Sequence, residues 1–315
     1  MTTNLNRITF RPIVGLEEFQ LFCQLPYAIN FELEDDLVAR RRRPEWMWIA
    51  LDSDRVLARV AWWGQSDDDV PSALDILDVD DGDERIDHED LCFTLLEIAT
   101  ATVITEGSRR PDYGRFVPPD WRDHPETSKP VEVRMAALER AGAHLLVERL
   151  RFELTEPSPI AERTDRLSFR PPRDDGELVQ LMTVALEGTL DVHSQLDLSA
   201  MSAHDAAVRH FECELVRYQS PHDWWRVATL PGGDPVGFVI PARNDYHAII
   251  AYIAVLPHHR GRGHIDEVLS EGTRVLHAQQ VPRIRASTDL GNVPMANAFT
   301  RAGWRNFERS IDMTW

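Results

Sequence analysis

A six-residue segment that occurs twice restricts the fold of this chain more than any other feature. Arg-Ile-Thr-Phe-Arg-Pro at 7–12 returns as Arg-Leu-Ser-Phe-Arg-Pro at 166–171. Each copy is followed by an acidic stretch and then by the apolar spacing of a helix, which predicts a strand that leads into a helix. Arg-Ala-Gly at 140–142 likewise returns at 301–303, each time after a predicted helix. Ordered agreement at both ends of each half predicts two related domains.

The join between the halves is predicted at 155–165, where Pro157 and Pro159 stand among polar residues. We therefore expect one domain at 1–157 and a second at 158–315. Each half also contains a predicted pair of adjacent strands. These pairs are 46–51 with 56–63, and 225–229 with 236–241.

The charge of the chain limits the partners it can have. It contains 34 basic and 52 acidic residues, a formal net charge of −18. Such a field repels a phosphate backbone and an anionic membrane surface, so we expect neither a nucleic-acid nor a membrane partner. The three cysteines lack metal-ligand spacing, and no apolar run approaches the ~20 residues that a membrane span needs. We expect a cytoplasmic protein without a metal site.

A glycine-containing loop in the second half has the context of an anion-binding site. The apolar run 248–255 predicts a buried strand, and the spacing of apolar residues after 264 predicts an amphipathic helix. Between them lies Arg-Gly-Arg-Gly at 260–263. Glycine lets the main chain approach a ligand closely, and the free N–H groups of a helix start attract phosphate. The loop differs from the dinucleotide fingerprint and from the P-loop, because it lacks a third glycine and a Gly-Lys-Ser/Thr sequence.

A second element follows downstream, where Asn292 opens a short predicted helix that contains Phe299 and stops at Gly303 and Trp304. Together with the loop, this order resembles the acyl-CoA-binding motifs of the GNAT (GCN5-related) N-acetyltransferases. The resemblance covers roughly 252–304 and extends more faintly over the whole chain through the repeat. It implies an α/β fold in tandem, each domain a mixed, splayed sheet with helices on both faces. It also implies acetyl-CoA, or another acyl-CoA, as co-substrate.

The resemblance implies roles for main-chain groups of the second half. Amides of the loop would hold the pyrophosphate, two residues of the preceding strand would pair with pantetheine, and Asn292 would help to hold the cofactor arm. These cofactor-binding residues are Ile253, Val255, Arg260, Gly261, Arg262, Gly263, His264, Ile265 and Asn292.

Two residues depart from the family pattern. Ile265 stands where the family's loop usually ends in Gly or Ala. Phe299 stands where many members place the tyrosine that protonates the departing thiolate, so the motif leaves that role unfilled.

Acyl transfer to an amine needs a deprotonated nucleophile, a polarised thioester carbonyl and a proton for the departing thiolate. The catalytic candidates are polar residues at the start of the strand 248–255, namely Asp245, His247 and, further along, Tyr252. Since side chains alternate along a strand, His247 and Tyr252 face opposite ways unless a bulge intervenes. Carboxylates within 187–218 either attract a cationic amine or form solvated helix faces.

The equivalent loop of the first half, 80–90, is acidic, with one glycine and one arginine. It should repel a pyrophosphate, so we expect the first domain to bind no CoA. It would serve as a scaffold, as a wall of the acceptor site or as the surface of a homodimer. A metal reading of the same loop is disfavoured, because the spacing of a calcium loop is absent.

These observations predict an acyl-CoA-dependent N-acyltransferase that acetylates the amine of a small molecule by direct attack in a ternary complex. An acyl donor longer than acetyl remains open. The alternative is a CoA-binding protein without turnover, which acts by sequestration or regulation. Phe299 motivates this alternative, because it cannot act as an acid.

Overall fold

The structure, a computed structural model, describes residues 7–83, 85–155, 160 and 162–315. The chain divides into two compact units. Unit 1 contains the described residues up to Glu148 together with Ser310–Trp315, and unit 2 is Arg149–Arg309. Pro157, Pro159 and the domain boundary expected between 157 and 158 lie outside the described residues, so that boundary stays a prediction.

Unit 1 is built on strands β1 to β5. These strands lie in sequential order, antiparallel from β1 to β4 and parallel between β4 and β5. The pair β2 and β3 confirms the strand pair predicted from the sequence. A core of Trp, Leu and Ala side chains packs around α3. The elements are β1 (Thr9–Pro12), α1 (Phe19–Phe22), α2 (Leu33–Val38), β2 (Met47–Asp52), β3 (Arg55–Trp63), β4 (Ala73–Val79), α3 (His88–Val103), β5 (Tyr113–Val117), α4 (Pro125–Arg140) and β6 (His144–Thr155).

The last residues of the chain complete unit 1. Ile311 and Met313 are buried in the core of this unit. The Thr314 hydroxyl donates to Asp112 Oδ1 at 2.8 Å, and the Trp315 indole N–H donates to the Pro111 carbonyl at 2.8 Å. A segment from the far end of the sequence is therefore part of the first unit.

Unit 2 has the strand order β7-β8-β9-β10-β11-β6. The strands β7 to β10 are antiparallel, β10 and β11 are parallel, and β11 is antiparallel to the second part of β6. The pair β8 and β9 confirms the second predicted strand pair. The elements are β7 (Ser168–Arg170), α5 (Asp175–Ala185), α6 (Val192–Ala200), α7 (Ala203–Cys213), β8 (Arg226–Thr229), β9 (Pro235–Arg243), β10 (Ala248–Val255), α8 (His264–His277), β11 (Arg283–Asp289), α9 (Val293–Arg301) and β12 (Arg305–Thr314).

The sequence repeat corresponds to a repeat of interactions. In unit 1, Arg11 donates through both terminal nitrogens to the Glu18 carboxylate, each bond 2.7 Å long. In unit 2, Arg170 makes the same two bonds to Glu177, at 2.8 and 2.7 Å. Each pair joins the end of a first strand to the start of the helical segment that follows. The repeat therefore preserves the same strand-to-helix connection in both units.

Two layers of helices enclose the sheet of unit 2. The helix α8 packs on one face, over a core that includes Ile250 and Ile284. The helices α5 and α7 pack on the other face, over a core that includes Phe238 and Trp225. Both faces of β9 are therefore covered, as its almost wholly buried pattern requires.

No group of His, Cys, Asp and Glu side chains that could hold a metal ion is present within the described ranges. No helix in the described part of the chain is both long and apolar enough to cross a bilayer. The three cysteines, Cys23, Cys92 and Cys213, are free thiols.

Candidate functional site

The strands β10 and β11 start side by side and then separate. Ala248 pairs with Ile284 and Ile249 pairs with Arg285, and no later pair joins these two strands among the residues described. In contrast, β10 stays paired with β9 as far as Val255. A gap therefore opens beside the second part of β10, and the main-chain groups on that side lack a ladder partner.

A β-bulge at Ala251 reverses the alternation of side chains along β10. The pairing with β9 shifts between Ile250 and Tyr252. Ile250 packs under α8 before the bulge and Ile253 packs there after it, although the two residues are an odd number apart. The sequence analysis placed His247 and Tyr252 on opposite faces unless a bulge lay between them. Because Ala251 is such a bulge, the two residues lie on the same face of the sheet.

The main-chain groups of Ile253 and Val255 face the gap side of β10, where the Val255 carbonyl accepts from Arg260 Nε at 3.0 Å. The Leu256 N–H donates to β9 over 2.8 Å. A Cβ added to Gly237 on β9 would overlap the carbonyl oxygen of Ala254, so this carbonyl also points toward β9. Because successive residues direct their N–H and C=O groups to opposite sides of a strand, those of 253 and 255 face away from β9. The resemblance implies this arrangement for main-chain pairing with pantetheine.

The loop after β10 reaches α8 through two glycines in the left-handed region. A single turn of 3-10 helix, Pro257–His259, precedes them. Gly261 and Gly263 have φ angles of 73° and 74°. Any residue with a side chain would pay roughly 1 kcal/mol to adopt this conformation, so the spacing of the two glycines follows from the turn itself.

A run of unpaired N–H groups, 261–265, forms an amide cradle at the start of α8. None of these N–H groups has a hydrogen-bond acceptor among the described residues. The helix dipole at this end favours an anion, which the free N–H groups could bind. The N–H of Arg260 is already used, because it donates to the Pro257 carbonyl at 3.2 Å.

Arg260 and Arg262 differ in what their side chains contact. The Arg260 guanidinium donates to four carbonyls, those of Val255 at 3.0 Å, Ala185 at 2.8 Å, Glu187 at 2.7 Å and Gly188 at 3.2 Å. It therefore fixes the loop to the end of α5. The Arg262 side chain is exposed. Positive charge at the mouth of the amide cradle thus comes from Arg262.

Arg166, the first residue of the second repeat copy, braces the loop from outside. Its guanidinium donates to the Arg262 carbonyl at 2.8 Å, contacts His264 Nδ1 at 3.3 Å and lies 3.2 Å from Glu267. Burial and the Arg166 charge lower the pKa of His264, which is therefore neutral at pH 7. Ile265 packs against the core under α8. The sequence placed Arg166 in the repeat but not in the site.

Asn292 and Phe299 both act within the protein. The side-chain oxygen of Asn292 accepts the Met295 N–H at 3.3 Å and so caps α9. Phe299 is buried and stacks on Phe152 with ring centroids 4.9 Å apart. Phe299 therefore fills the core rather than facing the gap.

Two of the catalytic candidates, Asp245 and His247, lie in the hairpin turn between β9 and β10. The Asn244 side chain accepts the N–H of His247 at 2.7 Å and fixes this turn. At ~3.3 Å per residue, the turn lies roughly 26 Å along β10 from Val255. The hairpin is thus at the opposite end of the strand from the amide cradle.

His247 is a neutral imidazole whose Nε2 atom is occupied. This nitrogen accepts from Arg285 Nη1 at 2.6 Å. Burial, together with the charges of Arg285, Arg283 and Arg151, lowers the pKa of His247 to about 4. A base that is already hydrogen-bonded and this weak is poorly suited to remove a proton from an amine.

Tyr252 faces the α7 side of the sheet and stays protonated. Its ring stacks on His210 with centroids 5.0 Å apart. Burial and the neighbouring Asp191 carboxylate raise the pKa of the Tyr252 phenol. Among the three catalytic candidates, Tyr252 is the one whose position on β10 is level with the gap.

The sequence analysis missed Asp289 and Arg149. Asp289 ends β11, is only 2% exposed, and lies 3.0 Å from the Nε of Arg149. Its other oxygen accepts the Val192 N–H at 2.7 Å, which joins the start of α6 to the end of β11. Burial raises the pKa of Asp289. Arg149 also lies 3.6 Å from Asp191. The sequence signal that could have identified Asp289 is a carboxylate at the end of a predicted buried strand.

In the corresponding loop of unit 1, main-chain N–H groups donate to carboxylates of the same loop. Asp80 accepts the Gly82 N–H at 3.2 Å, and Asp83 accepts the Arg85 N–H at 3.1 Å. Hydrogen bonds from the Arg85 side chain lower the pKa of Asp83. Glu84 lies outside the described residues. Main-chain N–H groups that could face a phosphate are therefore paired with the protein's own anions.

The acetyltransferase (GNAT) family model matches residues 192–304. No curated protein matches the chain.

Among solved structures, a GCN5-related N-acetyltransferase from Sphaerobacter thermophilus has a TM-score of 0.63 and 14% identity over 98% of this chain and 95% of its own. A tandem GNAT protein from the clavulanic acid biosynthesis pathway has a TM-score of 0.52 and 14% identity, covering 98% of each chain. A GCN5-related N-acetyltransferase from Kribbella flavida has a TM-score of 0.51 and 11% identity, covering 96% of each. The predicted fold class is confirmed: the chain has a tandem GNAT fold, and its residues 192–304 match the acetyltransferase (GNAT) family model.

Proposed function

We propose that this protein is an acyl-CoA-dependent N-acyltransferase that transfers an acetyl group from acetyl-CoA to the amine of a small molecule. The observation that carries the proposal is the amide cradle 261–265, which opens beside the gap between β10 and β11. A pyrophosphate in the amide cradle would lead the pantetheine arm along β10. There the main-chain groups of Ile253 and the N–H of Val255 are directed into the gap, whereas the Val255 carbonyl accepts from Arg260 Nε.

The reaction in this proposal is direct attack of a neutral amine on the thioester carbonyl. An N–H group of β10 donates to the carbonyl oxygen as negative charge develops on it. The departing thiolate takes a proton from Tyr252, whose raised pKa keeps it protonated before attack. The attacking nitrogen loses a proton as the C–N bond forms and the C–S bond breaks, and that proton returns through solvent to the Tyr252 phenolate, so the amide and the CoA thiol form with no net change in protons. Asp191 and Asp289 provide negative potential that attracts an ammonium group. Asp245 and His247 receive no chemical role, because the hairpin lies at the far end of β10.

Unit 1 has a different part in the proposal. Its acidic loop already pairs Gly82 and Arg85 N–H groups with Asp80 and Asp83. A CoA pyrophosphate would have to displace these carboxylates against their charge. We therefore assign one CoA site to each chain, in unit 2.

Calorimetry with a matched pair of variants tests the assignment. Asn and Asp have nearly the same size, and both tolerate the left-handed region in which Gly263 lies. Only Gly263→Asp adds a charge to the amide cradle. At about 6 Å from two phosphate charges, with salt screening, that charge costs roughly 2.5 kcal/mol, or about 60-fold in Kd.

The expected result is one equivalent of acetyl-CoA per chain, with affinity falling about 60-fold more in Gly263→Asp than in Gly263→Asn. Equal losses in the two variants would remove the amide cradle as the pyrophosphate site. Two equivalents of acetyl-CoA per chain would contradict the assignment of unit 1.

A second candidate, a CoA-binding protein without turnover, is favoured by one observation. Phe299 is buried in the core. It stands at the sequence position where many family members have the tyrosine that protonates the departing thiolate. Thiol release from acetyl-CoA over a panel of amines separates the two functions. Release that depends on both the amine and Tyr252 supports the transferase. Tight CoA binding without release on any amine supports the second candidate.

A further inference from the structure

One face of the sheet in unit 2 carries paired charged and polar side chains, which we call the charged face. Directly opposed residues of β11 and β6 share a face, because the two strands are antiparallel. The intervening residues, such as Ile284 and Phe152, are buried in the core on the other face. Ser287 is exposed, so solvent reaches the charged face. The opposed pairs are Arg285 with Glu153, Ser287 with Arg151, and Asp289 with Arg149.

Arg285 differs from the other arginines of β6, β11 and the start of β12. The others each have a carboxylate partner, whereas no carboxylate lies within ion-pair distance of Arg285 in the described part of the chain. The partnered ones are Arg149 with Asp289, Arg151 with Glu308, Arg283 with Glu153, and Arg305 with Glu153.

The Arg285 guanidinium is nevertheless held in place. Its Nη1 donates to His247 Nε2 at 2.6 Å, and its Cζ lies 4.6 Å from the ring centroid of Phe307. Its Nε is buried without a hydrogen-bond acceptor. Burial and the charges of Arg283 and Arg151 lower the pKa of Arg285. Glu153 and Glu308 act on Arg285 only from beyond ion-pair distance, and both are paired with other arginines. A partly desolvated cation without a direct carboxylate contact is costly, and a bound anion would offset that cost.

The position of Arg285 relates it to the gap. It pairs with Ile249 at the last point where β10 and β11 are joined. Asp289 lies four residues further along the same strand and on the same face, a distance of about 13 Å between Cα atoms. His247, which Arg285 contacts, shares its face with Tyr252. An elongated molecule on the charged face could therefore reach the gap at one end and Arg285 at the other.

We propose that the acyl acceptor is an amino-carboxylate, whose carboxylate binds the Arg285 guanidinium while its amine reaches the gap between β10 and β11. The planar guanidinium can donate two parallel bonds to a carboxylate, which suits it to this role. This inference rests on the proposed function, because the gap must hold the thioester. The distance of about 13 Å is a separation between Cα atoms, and the Arg285 side chain covers part of it, so the acceptor has to bridge only the remainder. An ω-amino acid or a short peptide does this better than glycine.

The test compares each carboxylate with its own amide. The probes are 6-aminohexanoate with 6-aminohexanamide, and glycylglycine with glycylglycinamide, since each amide keeps the shape and removes the charge. Thiol release from acetyl-CoA gives kcat and KM, and calorimetry gives the binding of each probe in the presence of CoA. The acids are expected to exceed their amides roughly 10- to 100-fold in kcat/KM, mainly through KM.

Three variants identify the source of the preference. Arg285→Ala should remove the preference for the acids, and Arg285→Lys should keep part of it. Arg173→Ala is the control, because Arg173 also belongs to unit 2 and is exposed, and its carboxylate partner, Glu177, is not on the charged face. It should keep the full preference. A merely structural role for Arg285 would change acids and amides alike.

The outcomes separate this inference from the proposed function. Equal use of acids and amides, or a preference that survives Arg285→Ala, overturns the inference while the transferase stands. Calorimetric binding of the acids that depends on Arg285, without thiol release from any amine, supports the carboxylate site and overturns the transferase. Neither binding nor release with any probe overturns both.

Discussion

Arg260→Ala should mainly lower the stability of unit 2, whereas Arg262→Ala should mainly weaken cofactor binding, although the two residues lie in the same loop. The Arg260 guanidinium donates to the carbonyls of Val255, Ala185 and Glu187. The Arg262 side chain is exposed. Arg260→Ala should therefore weaken unit 2 itself, whereas Arg262→Ala should remove only a charge beside the amide cradle.

The size of the Arg260 effect follows from the burial of its bonds. The bonds to Val255 and Ala185 are part-buried, whereas that to Glu187 is exposed and is replaced by water at little cost. At about 1.5 kcal/mol for each part-buried bond from a charged donor, Arg260→Ala loses about 3 kcal/mol. For a unit of this size, that lowers the Tm by roughly 6–12 °C. Arg262→Ala should change the unfolding free energy by less than about 0.5 kcal/mol.

Scanning calorimetry followed by titration with acetyl-CoA below the lower Tm measures both effects. Arg262→Ala is expected to weaken acetyl-CoA binding by roughly 3- to 10-fold, and by more at low ionic strength, because one screened charge is lost. Equal Tm losses in the two variants would refute the role of Arg260 as a structural clamp. An Arg260→Ala protein as stable as the wild type would do the same.

Two further predictions concern β10 and its hairpin. A Cβ on Gly237 would overlap the Ala254 carbonyl oxygen and lie 3.1 Å from Val255 Cα. Gly237→Ala should therefore cost about 1–3 kcal/mol and weaken acetyl-CoA binding. Gly232→Ala, where the added Cβ meets no atom within 4 Å, should leave the Tm unchanged, and equal Tm values for the two would count against this packing. The pKa of His247 is about 4 in the folded protein against 6.5 for the free side chain. Between these values the unfolded chain binds more protons, so stability falls as the pH drops from 6.5 to 4. His247→Gln should flatten this slope, and an imidazole NMR titration near pH 6.5 would contradict the assignment.

The parts of the fold that the sequence predicted depend on neighbouring residues. The repeat was visible because the Arg11–Glu18 and Arg170–Glu177 pairs each lie within seven positions of the chain. The strand pairs were visible because short turns connect β2 to β3 and β8 to β9. Local spacing also predicted the strand-loop-helix order around Gly261.

The roles of individual side chains depended on distant partners that local spacing does not reveal. Arg260 contacts the end of α5, whose last residue is Ala185, more than seventy positions earlier. Phe299 stacks on Phe152, a residue of β6. Asp289 forms an ion pair with Arg149 and accepts a hydrogen bond from Val192 at the start of α6. The bulge at Ala251 changed which candidates share a face, and a bulge leaves little trace in an apolar strand.

The position of Ser310–Trp315 in unit 1 affects how this chain is made. Ribosomes synthesise proteins from the amino terminus, and domains commonly fold as they emerge. Here the first unit lacks buried Ile311 and Met313 until residues that follow the whole second unit in the sequence have been translated. Its maturation must therefore wait for the second unit to be synthesised. A fragment cut at the linker would expose the apolar surface that these residues normally cover.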